Sequence, residues 1–139
     1  MLRRFAKGFS LIELMIVVAI IAILASLAYY NYGRYAFRTR RADGREMLMR
    51  VAAAQERYFT NFNAYAPSIT DAAPDGLGFT SATSERTYYL VTVTLTGGAT
   101  GYVLAAAPQN GQDDDACGNL VIDNLGNKTP VTSTNGDCW

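Results

Sequence analysis

The chain has 139 residues, enough for one domain of ordinary size and too few for two domains with separate cores. Half of the residues are apolar, and the 12 basic and 12 acidic side chains cancel, which argues against a disordered tail and against a strongly basic nucleic-acid-binding domain. There is no histidine and there are only 2 cysteines, which excludes histidine-based catalysis, histidine metal ligands and a four-cysteine zinc site. We therefore expect no enzyme and no cofactor, and a function based on shape and assembly.

Charge is distributed unevenly along the chain. The first eight residues carry three cations and no acid, and residues 9–33 carry Glu13 as their single charge. Residues 34–60 have a net charge of +4, whereas residues 61–139 have a net charge of −6. The sequence thus divides into a basic leader, an apolar segment, a basic segment and an acidic carboxyl-terminal part.

The apolar segment comprises residues 9–30, and its polar positions are Ser10, Glu13 and Ser26. As a helix it would be about 33 Å long, close to the thickness of the hydrocarbon layer of a membrane. The preceding cations predict that the amino end stays in the cytoplasm and that the rest of the chain is translocated. A cleaved secretory signal is the alternative, but its apolar region usually has roughly 7–15 residues, and this one is longer.

Glu13 lies inside the apolar segment, where an unpartnered charge costs about 2.5–3.5 kcal/mol. Cleavage between Gly8 and Phe9 would create an α-amino group about one helical turn before Glu13. The two charges could then pair within one helix or between axially shifted copies, and such pairing is much stronger in apolar surroundings than in water. We expect this pair to set the register between copies.

An eight-residue motif stands where the basic leader meets the apolar segment: Lys7-Gly8-Phe9-Ser10-Leu11-Ile12-Glu13-Leu14. It resembles the class III signal of type IV pilin precursors, and residues 15–25 continue the resemblance. The resemblance implies that a prepilin peptidase cleaves after Gly8, that Phe9 becomes the N-methylated first residue and that Glu13 is needed for incorporation into the fibre. Tyr30 and Ala22 depart from the family pattern, where many members have a helix-kinking proline and a glycine.

The resemblance also implies a fold and a domain organisation. The expected fold is the α+β type IV pilin fold, in which a long amino-terminal helix packs on a small antiparallel β-sheet with a carboxyl-terminal disulfide loop. The expected parts are a cleaved leader (1–8), a transmembrane and fibre-core helix (9–32) and a periplasmic head (33–139). The expected partners are prepilin peptidase, other pilin subunits, the pilus assembly machinery and, before assembly, the inner membrane.

The resulting functional prediction is a structural, minor subunit of a type IV pilus on the cell surface, serving attachment, twitching motility or DNA uptake. Two alternatives stay open. A type II secretion pseudopilin would have the same amino-terminal helix. A pilus-borne adhesin or DNA receptor would be a binding module that the filament displays on the cell surface.

The helical period continues beyond the apolar segment and predicts one helix from about residue 9 to about residue 62, amphipathic over 33–62. One stripe of positions, spaced by three or four residues, consists of Gly44, Leu48, Val51, Gln55, Tyr58 and Phe62. A second set, the arginine stripe, consists of Arg34, Arg38, Arg41 and Arg45. The arginine stripe has three interpretations: a solvated helix surface, a contact with the acidic head of an adjacent subunit, or a surface that binds DNA phosphates. The acidic head counts against DNA because it would repel phosphates.

The carboxyl-terminal part has the pattern of a sheet that packs against the amphipathic half of the helix. Residues 63–86 have no period and predict a loop. Alternation over 87–96, the glycine-rich turn at 97–101 and the apolar residues 102–107 predict a hairpin. A short third strand is predicted at 119–122, and 128–132 is predicted as an edge strand interrupted by Pro130.

Cys117 and Cys138 are expected to form a disulfide, because a translocated domain is in an oxidising compartment. A loop of this size contributes about 3 kcal/mol in the chain-entropy model. The loop resembles that of type IV pilins, and the Cys138-Trp139 ending resembles PilE-type minor pilins. Asp113, Asp114 and Asp115 are a calcium candidate, since carboxylates suit a hard cation, but the spacing of a recognised calcium loop is missing and a solvated acidic loop is the alternative.

Overall fold

The computed structural model describes residues 9–134 and 136–139. Within these residues it contains one α-helix followed by strands, with the bounds α1 (Leu11–Phe62), β1 (Tyr89–Thr96), β2 (Gly101–Pro108), β3 (Leu120–Asp123), β4 (Lys128–Thr129), β5 (Thr132–Ser133) and β6 (Gly136–Asp137). The chain divides into two compact units, residues 1–35 and 36–139. The predicted leader, including Gly8, lies outside the described residues.

The first unit contains the amino-terminal part of α1. The helix begins with a hydrogen bond from the Leu14 amide to the Ser10 carbonyl, 3.1 Å long. An 18-residue stretch of α1 near its amino end is apolar enough to cross a membrane, with a mean hydropathy of 2.8. None of the residues in this stretch is buried. Side chains such as Leu11 and Ile12 are exposed even though they are apolar. This surface therefore requires an apolar environment outside the chain, as a membrane or a fibre interior would provide.

The second unit buries one face of α1 from residue 36 onward. Leu48, Val51 and Gln55 have no exposed surface, and Gly44 is buried beside them, so the predicted stripe forms the helix side of the core. The stripe does not continue to the end of the helix. Phe62 is 46% exposed and stacks on Tyr58 with a ring-centroid distance of 4.4 Å, so these two rings pack on each other at the surface rather than in the core.

The main sheet is antiparallel, as predicted, and its strand order is β1-β2-β3-β4. Tyr89 pairs with Pro108 at one end of β1, and Val103 pairs with Asp123 where β2 meets β3. Every second side chain of these strands faces α1, because successive residues of a strand point to opposite faces. The buried residues that the three long strands contribute to the core are Tyr89, Val91, Tyr102, Leu104, Ala106, Leu120 and Ile122.

The predicted edge strand at 128–132 is wrong in its second half. β4 ends at Thr129, and after Pro130 the chain leaves the main sheet. β5 then pairs with β6 in a separate two-stranded sheet. The reason is that proline lacks the amide hydrogen that a ladder requires. The predicted disulfide between Cys117 and Cys138 is confirmed, and it connects the separate sheet to the chain before β3.

Candidate functional site

The structure places members of the arginine stripe in different environments. Arg34 belongs to the first unit, whereas the other three belong to the second. Arg38 is exposed and Arg45 is half-buried. Arg41 is 1% exposed and lies inside the second unit, which removes it from any surface that could contact a partner.

Arg41 is buried because it forms an ion pair with Asp115 of the same chain. Its Nε donates to Asp115 Oδ2 at 2.7 Å, and its Nη2 donates to Asp115 Oδ1 at 2.5 Å. This is the bidentate geometry of a strong arginine–carboxylate pair. Its Nη1 donates to the carbonyl oxygen of Asp137 at 2.8 Å. The hydrogen bond to Asp115 raises the pKa of Arg41, and desolvation by burial opposes this shift.

Gln112 and Tyr89 extend this buried network. Gln112 Nε2 lies 3.0 Å from Asp115 Oδ2, 3.1 Å from the Tyr89 hydroxyl and 3.2 Å from the carbonyl oxygen of Phe37. Burial raises the pKa of Tyr89 to about 12, although the hydrogen bond from Gln112 opposes this shift. The network therefore connects α1, β1 and the loop that precedes Cys117.

The three consecutive aspartates do not converge on one point. Asp115 is directed to Arg41, whereas Asp113 Oδ2 accepts a hydrogen bond from the Gly111 amide at 3.2 Å. Asp114 is exposed. Within residues 9–134 and 136–139, no group of three or more acidic or cysteine side chains is arranged to hold a metal ion. The weak calcium candidate thus has one of its three carboxylates occupied by an arginine.

The surface beside this network is basic. Arg38, Arg45 and Trp139 line one open recess together with Gly136 and Asp137. The Lys128 ammonium lies 5.1 Å from the centre of the Trp139 ring, a cation–π distance. We call the set Arg38, Arg45, Lys128 and Trp139 the carboxyl-terminal patch. The side chains of the patch and the recess comprise three cations and one carboxylate.

Gly136 allows the recess to form. Its φ is +94°, a region that residues with a side chain rarely adopt, and an added Cβ would lie 2.7 Å from Arg38 Nη2. The positive φ therefore favours glycine at this position, whereas the contact with Arg38 involves the end of a flexible side chain that can move. Helical spacing indicated Arg38 and Arg45 but gave no sign of Lys128 and Trp139, because the proximity of these two depends on how the chain turns after Pro130. The available signal was the pairing of Cys138 with Cys117, which returns Trp139 to the sheet.

Several acids of the carboxyl-terminal part are already engaged by other groups. Asp115 pairs with Arg41, and Glu85 lies 3.2 Å from Arg50. The Asp123 side chain accepts hydrogen bonds within its own turn, chiefly from Asn127, and these lower its pKa. The net charge of −6 counted along the sequence is therefore a poor description of the surface near the patch.

The predicted processing and assembly residues lie at the start of the described chain. Phe9 is 81% exposed, and Glu13 is exposed in the first turn of α1. The expected scissile bond joins Phe9 to Gly8, which lies outside the described residues. The pairing of Glu13 with an α-amino group stays a prediction.

Comparisons with known proteins give three findings. Residues 31–121 match the family described as "Type IV minor pilin ComP, DNA uptake sequence receptor", and residues 3–29 match the "Prokaryotic N-terminal methylation motif". A solved structure, "High-Resolution Structure of a Type IV Pilin from Shewanella oneidensis", is 31% identical with a TM-score of 0.55 and covers 74% of this chain and 97% of that chain. The comparison with curated proteins found no match.

Proposed function

This chain belongs to the ComP family of type IV minor pilins, and we propose on this premise that it binds double-stranded DNA through the carboxyl-terminal patch. The chain is a type IV pilus subunit, since it combines the methylation motif of prepilins with the fold of a type IV pilin. It is anchored in the membrane as a precursor and is then displayed on the pilus. DNA binding would make it a receptor carried by the filament.

The pilus function follows from the exposed apolar part of α1. Transfer of this helix from lipid to a fibre interior exchanges one apolar environment for another, so packing and polar pairs govern assembly more than hydrophobic transfer does. Copies related by a rotation that does not close give a helical filament. We propose that Phe9 becomes the methylated amino terminus after cleavage by prepilin peptidase, and that its amine pairs with Glu13 of a neighbouring copy.

The observation that carries the DNA proposal is the carboxyl-terminal patch in a chain that matches a family described as a DNA receptor. Arginine suits phosphate because its planar group donates two parallel hydrogen bonds. Three clustered cations would release counterions from DNA, which provides affinity without sequence preference. Trp139 adds an aromatic surface that is able to contact a sugar or a base edge.

The net negative charge of the head, counted from the sequence, argues against DNA binding because it would repel phosphates. The structure weakens this argument, because Arg41 neutralises Asp115, and Arg50 lies between Glu46 and Glu85. Other acids, such as Asp71 and Asp75, lie in the loop between α1 and β1, whose residues do not line the recess. The side chains of the patch and the recess thus carry three positive charges against the one negative charge of Asp137, in a chain whose formal net charge is zero.

The test is the salt dependence of binding to a fluorescently labelled DNA duplex, measured by anisotropy with the full-length mature chain in detergent. Each phosphate contact contributes about 0.9 to the slope of log K against log salt concentration. We expect Arg38→Gln and Arg45→Gln each to lower the magnitude of the slope by about 0.9. Arg57→Gln is the matched control, because Arg57 is an exposed arginine of the same helix about 28 Å from Arg38 by helical rise. Equal slopes in all four proteins would reject the patch as the DNA site.

The other functions considered from the sequence receive less support. A type II secretion pseudopilin is disfavoured, because the family match and the solved structure are both type IV pilins. The pilin family is not enzymatic, and we propose no catalytic role. Attachment and twitching motility remain compatible with a filament that also captures DNA.

A further inference from the structure

The segment that carries Trp139 cannot hold its position alone. We call the described residues 131–134 and 136–139 the carboxyl-terminal hairpin. Its strands β5 and β6 have two residues each and form a sheet separate from the main one. A two-stranded sheet of this size is not stable by itself in water. The location of Trp139 therefore depends on the contacts between the hairpin and the rest of the chain.

Arg41 contacts the chain next to both cysteines of the disulfide, and one of these contacts is with the hairpin. Its Nη1 holds the carbonyl oxygen of Asp137, the residue before Cys138. Its Nε and Nη2 hold the carboxylate of Asp115, two residues before Cys117. One guanidinium thus fixes the chain next to each of the two disulfide-bonded cysteines and connects both to α1.

Arg41 also lies between the two arginines of the patch. It follows Arg38 by three residues and precedes Arg45 by four, and residues with these spacings share one face of a helix. The same face of α1 therefore supplies the two cations and holds the hairpin that brings Trp139 beside them. Because Arg41 is 1% exposed, it has no surface with which to contact DNA itself.

We infer that Arg41 is a positioning residue for DNA binding, which holds the carboxyl-terminal hairpin so that Trp139 completes the patch. The inference rests on the proposed DNA-binding function. It assigns to the central arginine of the stripe a role different from that of its two neighbours. Arg38 and Arg45 contact phosphate, whereas Arg41 acts through the position of Trp139.

The test needs a variant that remains folded. Replacing Arg41 alone would leave the Asp115 charge buried without its partner, which is strongly destabilising. Replacing a buried ion pair by apolar residues of similar volume is often neutral or stabilising. The variant Arg41→Met with Asp115→Leu removes both charges and the hydrogen bond to Asp137. We expect Gln112 to lose its contact with Asp115 in this variant but to keep those with Tyr89 and the Phe37 carbonyl.

The first readout is DNA affinity of the full-length mature chain in detergent. We expect the Arg41→Met, Asp115→Leu chain to bind the duplex about fivefold to tenfold more weakly, as expected when one aromatic side chain is withdrawn from an interface. Trp139→Ala should weaken binding by a similar factor. Combining all three changes should add nothing, because changes that act through one group are not additive.

The second readout is the fluorescence of Trp139, which is the one tryptophan of the sequence. In the Arg41→Met, Asp115→Leu chain we expect red-shifted emission and stronger quenching by acrylamide, while far-ultraviolet circular dichroism stays native. Arg50→Met is the control, because it breaks an exposed arginine's contacts with Glu46 and Glu85 outside the patch. It should change neither tryptophan emission nor DNA affinity.

A third variant tests the positioning role of Arg41 if the Arg41→Met, Asp115→Leu chain does not fold. Arg41→Lys keeps a charge opposite Asp115 but lacks the planar group that reaches Asp115 and Asp137 together. We expect it to fold, to shift the Trp139 emission and to bind DNA with intermediate affinity. Unchanged affinity and emission would overturn the inference.

The results also separate this inference from the proposed function. If the wild-type chain binds DNA and the folded Arg41 variants bind it equally well, the positioning role is wrong and DNA binding stands. If the losses from Trp139→Ala and from the paired replacement add, Arg41 acts independently of Trp139 and the inference is also wrong. If the wild-type chain does not bind DNA, both proposals fall.

Discussion

Gly44 and Gln55 show how single positions of α1 determine the core. An added Cβ at Gly44 would lie 2.7 Å from two carbons of the Tyr89 ring, so glycine allows this ring to pack against the helix backbone. Gln55 donates to the carbonyl oxygen of Ala66 at 2.9 Å and accepts from its amide at 2.8 Å. The buried side-chain amide of Gln55 thus satisfies both backbone hydrogen-bonding groups of Ala66, which lies in the loop after α1.

We expect Gly44→Ala to lower the free energy of unfolding by about 1–3 kcal/mol, the usual effect of overpacking a core. The change would otherwise favour the helix by about 1 kcal/mol, so a net loss indicates the clash with Tyr89. Thermal melts of the full-length chain in detergent measure the effect. Gly33→Ala is the control, because an added Cβ there meets no atom within 4 Å. Equal stability of both variants would contradict the packing described here.

Residue-scale prediction from sequence succeeded where it depended on spacing. The stripe at Gly44, Leu48, Val51 and Gln55 lies in the core because helical period alone places these residues on one face. It failed where it depended on a distant partner. Arg41 has the same spacing as its neighbours in the stripe, and its burial depends on Asp115, which is 74 residues further along the chain.

Among the elements, the disulfide loop has the largest predicted effect on stability. The Cys117–Cys138 bond closes a loop that, in the chain-entropy model, contributes about 3 kcal/mol. Cys117→Ser should therefore lower the stability of the second unit by about this amount without affecting processing of the leader. Urea unfolding measures the change. Wild-type protein in reductant is the control and should unfold with the variant, and a variant as stable as the oxidised wild type would contradict the prediction.

Tyr89 in strand β1 makes the free energy of unfolding depend on pH in the alkaline range. Desolvation by burial raises the pKa of Tyr89 to about 12 from its ordinary value of 10.0, so the folded chain holds this proton more tightly than the unfolded chain. This contribution to stability is complete below pH 10 and is lost as pH rises to about 12. Melting temperatures measured across this interval should fall, and less steeply in Tyr89→Phe. Burial raises the pKa of Tyr102 as well, so the slope should not vanish. An identical slope in Tyr89→Phe would exclude Tyr89 as a source.

Prediction of the elements from sequence was successful for the long ones. The second half of α1 and the strands β1 to β3 follow from periodicity, because each buries a regular face. The separate sheet of β5 and β6 could not be predicted, since two-residue strands have no period to detect. Its position depends on the disulfide and on Arg41, which are contacts between distant parts of the sequence.

For the whole molecule, the central assembly prediction concerns Glu13. Glu13→Ala should still be cleaved by prepilin peptidase, because the cleavage junction is unchanged, but it should enter filaments poorly because it lacks a partner for the amine of Phe9. The amount of variant in sheared filaments, relative to that in membranes, measures this. Glu13→Asp is the control and should retain part of the incorporation. Normal incorporation of Glu13→Ala would contradict the charge pair.

The proposed DNA receptor requires that DNA cover one defined surface of the head. Hydroxyl-radical footprinting read by mass spectrometry reports the exposure of individual side chains and tests this most directly. On addition of duplex DNA to the full-length chain, we predict protection of Trp139 and Lys128. We predict no protection of Tyr58 and Phe62, the stacked aromatic pair at the end of α1. Protection of that pair, with Trp139 and Lys128 unchanged, would contradict the account.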